Sequence, residues 1–138
     1  MSYWEVYEED TCKKSKSRLV KKLDSIFSKY IRLKHSKNGI CTCFTCGRKY
    51  EIKKIQAGHF MSRRHYSTRW DEDNVRPQCY GCNVGNQGKQ YEFAINLNKE
   101  QKGKADKLLN KSRALVKFST GDIEMLIANY QDKLKRLE

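Results

Sequence analysis

Two cysteine pairs, Cys43-Phe44-Thr45-Cys46 and Cys79-Tyr80-Gly81-Cys82, limit what this chain can fold into more than any other feature. Two residues between paired cysteines let both sulfurs of a tight turn face one ion, so two such knuckles make a four-thiolate, tetrahedral zinc site of the structural kind. The chain must double back to bring them together. Cys12 and Cys41 are left over, and Cys41 has a less suitable spacing to Cys46. A chain of 138 residues suits one domain with a modest core, which a metal staple would reinforce. The knuckles speak strongly for zinc and weakly for function, because they also occur in binding modules and purely structural ribbons.

No apolar run approaches membrane-span length, and Met1-Ser2-Tyr3-Trp4-Glu5 lacks the basic-then-apolar order of a signal peptide. The expectation is a soluble, intracellular protein with no membrane partner, in which cysteines serve as ligands or free thiols. Residues 1–11 form an acidic and aromatic leader with no assigned role. From Lys13 to about His35, Leu19, Val20, Leu23, Ile26, Phe27, Tyr30 and Ile31 recur at three- and four-residue steps, predicting an amphipathic helix closed by Ser36-Lys37-Asn38-Gly39. Alternation around Tyr50, Ile52 and Ile55 predicts a short hairpin whose second arm runs toward Gly58-His59-Phe60. Helical pattern returns after Asn83, then over roughly Ala105 to Phe118. A last helix follows Ser119-Thr120-Gly121-Asp122, a capping-box spacing, with Ile123, Leu126, Ile127, Tyr130, Leu134 and Leu137 on one face for the core or for a second subunit. The expected fold is α+β in a single domain: leader and helix over 1–36, a zinc-bound core over 40–98, and a helical extension over 99–138.

Lys and Arg outnumber Asp and Glu by 29 to 16, a formal charge of +13, and from Arg32 to Arg69 the only acid is Glu51. Arg32, Lys34, Lys37, Arg48, Lys49, Lys53, Lys54, Arg63, Arg64 and Arg69 thus surround the knuckles with positive charge, and a polyanion is the expected partner. Inside that strip His59 stands out, because a histidine near neutral pKa can take a proton from water at physiological pH and so start phosphodiester hydrolysis. Asn83 follows the last cysteine at once, so zinc would fix its backbone, and its amide oxygen suits Mg2+ or Mn2+; a helix-capping role is the alternative. Asn74 either bridges its loop by hydrogen bonds, aiming His59, or is a plain turn residue. Arg63, Arg64 and Arg69 are candidate phosphate clamps. His65 reads equally as a phosphate or metal contact and as a buried structural residue. Phe60, Tyr66 and Trp70 suit base stacking or, more simply, packing.

Cys43-Phe44-Thr45-Cys46-Gly47, Ala57-Gly58-His59-Phe60, Arg69-Trp70-Asp71-Glu72-Asp73-Asn74-Val75 and Gln78-Cys79-Tyr80-Gly81-Cys82-Asn83, with the lead-in Leu23 to Leu33, together resemble the NinG/Rap recombination endonucleases of lambda-like phages. The resemblance covers roughly Leu23 to Tyr91. It implies a ββα-metal finger of the HNH type, cleavage of branched DNA such as Holliday junctions and D-loops, and action in the bacterial host cytoplasm. It would make His59 the general base, Asn74 the middle asparagine and Asn83 the residue at the metal. Many HNH enzymes carry an aspartate metal ligand just before the histidine, where this chain has Gly58. The substrate phosphate, or Asp71, Asp73 or His65, would then complete the ligand set. Junction resolution needs two cuts, which favours a homodimer. The rival readings are a non-catalytic zinc module that binds nucleic acid and a sequence-specific HNH nuclease of the restriction type.

Overall fold

The computed structural model describes the backbone of residues 3–138 and the side chains of residues 16–138. Helix α1 (Tyr3–Lys34) leads into three short strands, β1 (Ser36–Lys37), β2 (Ile40–Thr42) and β3 (Lys49–Glu51). Then come β4 (Gln56–His59), the one-turn helix α2 (Tyr66–Arg69), β5 (Val75–Gln78), and helices α3 (Gln90–Glu100), α4 (Lys104–Ser112) and α5 (Thr120–Leu137). Mixed helix and sheet is what the sequence predicts. Among the described residues, no helix is long and apolar enough to cross a membrane.

α1 begins at Tyr3 rather than near Lys13, so the expected leader is largely helix backbone. That segment contains no glycine or proline, and its early acids suit a helix N-terminus. The buried side of α1 (Leu23, Phe27, Tyr30, Ile31) packs against Ile123, Ile127 and Tyr130 of α5, with Trp70 and Val75 closing the core. Tyr130 meets Phe27 edge-on at 5.0 Å between ring centroids. The apolar stripe of α5 is therefore core, not a free face. Its start carries the predicted capping box: Asp122 N–H donates to Ser119 Oγ at 3.1 Å, and Ser119 N–H to Asp122 Oδ2 at 2.9 Å.

The predicted hairpin does not form. β3 pairs back with β2, Tyr50 opposite Cys41, whereas β4 pairs antiparallel with β5, placing Gly58 opposite Arg76 and His59 opposite Val75. A 3-10 turn over Ile52–Lys54, held by Arg32 Nη1 on the Ile52 carbonyl at 2.9 Å, turns the chain from one sheet to the other. α4 stops at Ser112, short of Phe118, where the Ser112 hydroxyl donates to Leu109 O at 2.6 Å. Leu115, expected on its apolar face, is fully exposed.

The segment from Asp71 to Arg76, running into β5, is where the helices are tied down. Asp71 pairs with Lys111 of α4 at 2.6 Å and Asp73 with Lys104 of α4 at 3.6 Å. Glu72 meets Lys34 of α1 at 2.9 Å and Lys133 of α5 at 3.0 Å, and Arg76 holds Glu100 of α3 at 2.8 Å.

Candidate active site

The four paired cysteines converge, their sulfurs all lying within 4.8 Å of one another. Tetrahedral zinc with Zn–S of about 2.3 Å sets sulfurs about 3.8 Å apart, and Cys46 and Cys79 stand at 3.8 Å. The donor chemistry fits as well. Burial works against the Cys43 thiolate, but the backbone N–H groups of Cys79 and Cys46 and the Thr45 hydroxyl bring its pKa down to about 6. Burial, with Cys79 and Cys46 beside it, pushes Cys82 up to about 12. Thiols so crowded cannot all ionise alone, and a bound divalent cation would resolve the conflict by displacing their protons. Cys43, Cys46, Cys79 and Cys82 could thus hold zinc structurally. Cys41 stays outside the group, its thiol donating to Arg32 O at 3.0 Å. The side chain of Cys12 lies outside the described residues.

Cys82 lies in a single π-helical turn, Gly81–Gly85, closed by Asn86 N–H on Gly81 O at 2.8 Å. Asn83 stands on this turn, its N–H donating to Cys79 O at 2.9 Å, which ties its backbone to the second knuckle. Its Nδ2 donates to Gln56 Oε1 at 2.8 Å, and among the described residues Oδ1 has no hydrogen-bond partner. A cleft of about 740 Å³ brings Asn83 and His59 together. It is lined by Asp24, Ser28 and Arg32 of α1, by residues of β4 and by part of the segment that follows Cys82.

His59 is half-buried at the end of β4, with Nε2 2.9 Å from Arg69 O. A carbonyl only accepts, so Nε2 carries the proton and Nδ1 keeps its lone pair. Burial, with Arg63 adding to it, lowers the His59 pKa to about 4 against the supporting bond to Arg69 O. The ring is neutral at pH 7.

Asn74 is fully buried and spends its whole side chain on the loop beside His59. Oδ1 accepts from Met61 N–H at 2.7 Å, while Nδ2 donates to Met61 O at 2.9 Å and Thr68 O at 3.0 Å. Its own carbonyl accepts from Phe60 N–H at 2.8 Å. This is a loop-bridging amide, and Phe60 and Trp70 are packed as core residues.

Gly58 has a packing reason. A Cβ there would collide with the Gln78 side chain, which is fully buried and whose Nε2 donates to Thr45 Oγ1 at 3.1 Å and Gly88 O at 2.8 Å. Gln78 Oε1 has no conventional partner and faces the Gly58 Cα–H, a weak donor. No carboxylate can occupy position 58 in this packing. Nor do the suggested substitutes reach the cleft: Asp71, Asp73 and His65 are absent from its lining, and both aspartates pair with α4 lysines. Arg69 is engaged by Asp24 (Nε 3.1 Å, Nη2 2.6 Å) and by Arg63 O, so of the three arginines Arg63 is the one exposed at the cleft. Arg64, Lys53 and Lys54 are exposed outside its lining.

Sequence reasoning left Asp24, Gln56 and Gln78 without a role. Asp24 had a signal, being the only acid between Lys13 and Tyr50. Gln78 lay inside one of the motifs that carry the family resemblance, with nothing to say what it does there, and Gln56 had no signal. The family model described as "Bacteriophage Lambda NinG protein" matches residues 6–138. No curated protein and no solved structure matches the chain.

Proposed function

Because the chain belongs to the NinG family, we propose that it is a structure-selective, metal-dependent DNA endonuclease acting on branched recombination intermediates, Holliday junctions and D-loops among them. One observation carries this reading: a neutral His59 with a free Nδ1 shares a cleft with the free amide oxygen of Asn83. In this reading β4, β5 and the zinc-fixed turn after them are the ββα-metal finger of an HNH nuclease.

His59 Nδ1 takes a proton from the water that attacks phosphorus. Its depressed pKa keeps it unprotonated at pH 7 but makes it a weaker base than the near-neutral histidine expected from sequence, and a phosphodiester anion entering the cleft raises its basicity as substrate arrives. Asn74 holds the loop that frames the ring. Asn83 Oδ1 would hold Mg2+ or Mn2+ together with phosphate oxygens, where the cation supplies charge stabilisation at the leaving 3′ oxygen. The products carry a 5′ phosphate and a 3′ hydroxyl. Arg63 grips the strand at the cleft, while Arg64, Lys53 and Lys54 add a sequence-independent attraction for phosphate.

The test is cleavage of a labelled four-way junction with Mg2+ or Mn2+ by wild type and His59→Ala, zinc content being measured in both. The variant should bind the junction and lose about 10²-fold or more in cleavage rate. Undiminished cutting with zinc still bound would sink the assignment. Salt-sensitive binding without cleavage under any divalent metal would identify a non-catalytic module instead, and cutting that follows sequence in linear duplex a restriction-type nuclease. Light scattering of the same samples reads the proposed homodimer.

A further inference from the structure

We propose that Asp24 of α1 is a positioning residue for His59, acting through the Arg69–Trp70 peptide; the inference rests on the nuclease reading of the cleft. Arg69 O, the acceptor for His59 Nε2, is the carbonyl of the peptide that joins Arg69 to Trp70. The side chains on both sides of that peptide are held by one carboxylate. Asp24 Oδ1 accepts from Arg69 Nε at 3.1 Å and Trp70 Nε1 at 2.9 Å, and Oδ2 accepts from Arg69 Nη2 at 2.6 Å. With both flanking side chains gripped at one point, the peptide cannot rotate. Its carbonyl is available because α2 is a single turn that ends there, leaving Arg69 O without a helical partner.

The same bonds argue against Asp24 as a direct ligand for the catalytic cation. Three of its roughly four acceptor sites are occupied, and Arg63 stands 3.9 Å from Oδ2. Asp24 and Arg69 are also mostly buried, at 18% and 15% side-chain exposure, so the pair is shielded from solvent. What Asp24 controls is which ring nitrogen of His59 carries the proton. Pinned, the carbonyl forces the proton onto Nε2 and leaves the Nδ1 lone pair free. Released, the ring can exchange tautomers and tilt, and a small misplacement of a reacting group costs about 10²-fold in rate. α1 is then part of the catalytic apparatus.

Long-range 15N–1H NMR of the histidine rings reads the tautomer directly, without DNA or catalytic metal. In the zinc-loaded wild type His59 should show a single tautomer protonated at Nε2. Asp24→Ala should give a mixture of tautomers and lower kcat on the junction by about 10²-fold with KM changed less than about threefold. Asp24→Asn keeps the side chain's size and its bond to Trp70, and should fall between them on both measures. If the alanine variant does not fold, the asparagine variant decides. Wild-type tautomer in either folded variant, or a loss confined to KM or to the divalent-metal requirement, would overturn the proposal. If wild type cuts no branched DNA, the nuclease reading falls, while the tautomer comparison still tests the link from Asp24 to His59.

Discussion

At position 58 the missing side chain lets the Gln78 amide lie against β4, where it joins the first knuckle at Thr45 to the cleft wall at Gly88. Gly58→Ala should lower stability by about 1–3 kcal/mol, the usual cost of overpacking, read from the urea midpoint. Gly58→Ala with Gln78→Ala should cost less than the two changes summed; strict additivity would show that the side chains do not compete. That His59 and Asn83 line one cleft, with Asn74 bridging the loop beside it, agrees with their order in the sequence, whereas their chemical roles belong to the proposal. Gln78 was not legible, since a glutamine in a polar stretch gives no hint of burial. Asp24 was visible as a lone acid, but nothing local joined it to Arg69, 45 residues away.

Elements whose stability is local were read well. The α5 boundary follows from Ser119 and Asp122, whose reciprocal bonds need only four consecutive residues. Ser119→Ala should remove about 1 kcal/mol, measured by thermal unfolding, with zinc content unchanged; an unaltered midpoint would mean that packing on α1 alone fixes the start of α5. Elements that depend on a distant partner were read less well. Alternation tells which face of a strand is buried, not which strand it pairs with, so Tyr50 and Gly58 were assigned to one hairpin although they lie in different sheets. α4 was overextended because Leu115 and Val116 keep up an apolar pattern beyond the helix end at Ser112, in a stretch that leads exposed toward α5.

Across the whole molecule, acid should act on several titratable groups in turn. Partial desolvation of its ring, with Arg76 and Lys34 adding to it, brings His35 down to about 4 although the residue as a whole is exposed, and burial with Arg63 does the same to half-buried His59. The unfolded chain takes up these protons near pH 6.5, so stability present above that value is lost as pH falls from 6.5 toward 4. Burial opposes the Glu72 carboxylate, but Lys34 and Lys133 hold its pKa down to about 2, so its contribution is lost between 4.5 and 2. In urea titrations at equal zinc, His35→Gln should show a flatter decline than wild type between pH 6.5 and 4; an unchanged slope would show that His35 titrates alike in both states. The ties around Glu72 have another outcome. Cut out as residues 40–98, the cysteine-bearing segment would lose Lys34, Lys104, Lys111 and Lys133, leaving Asp71, Glu72 and Asp73 as uncompensated negative charge that lowers its attraction for a polyanion. The flanking helices act as built-in counterions, so a transplant of this site into another scaffold would have to carry their lysines with it.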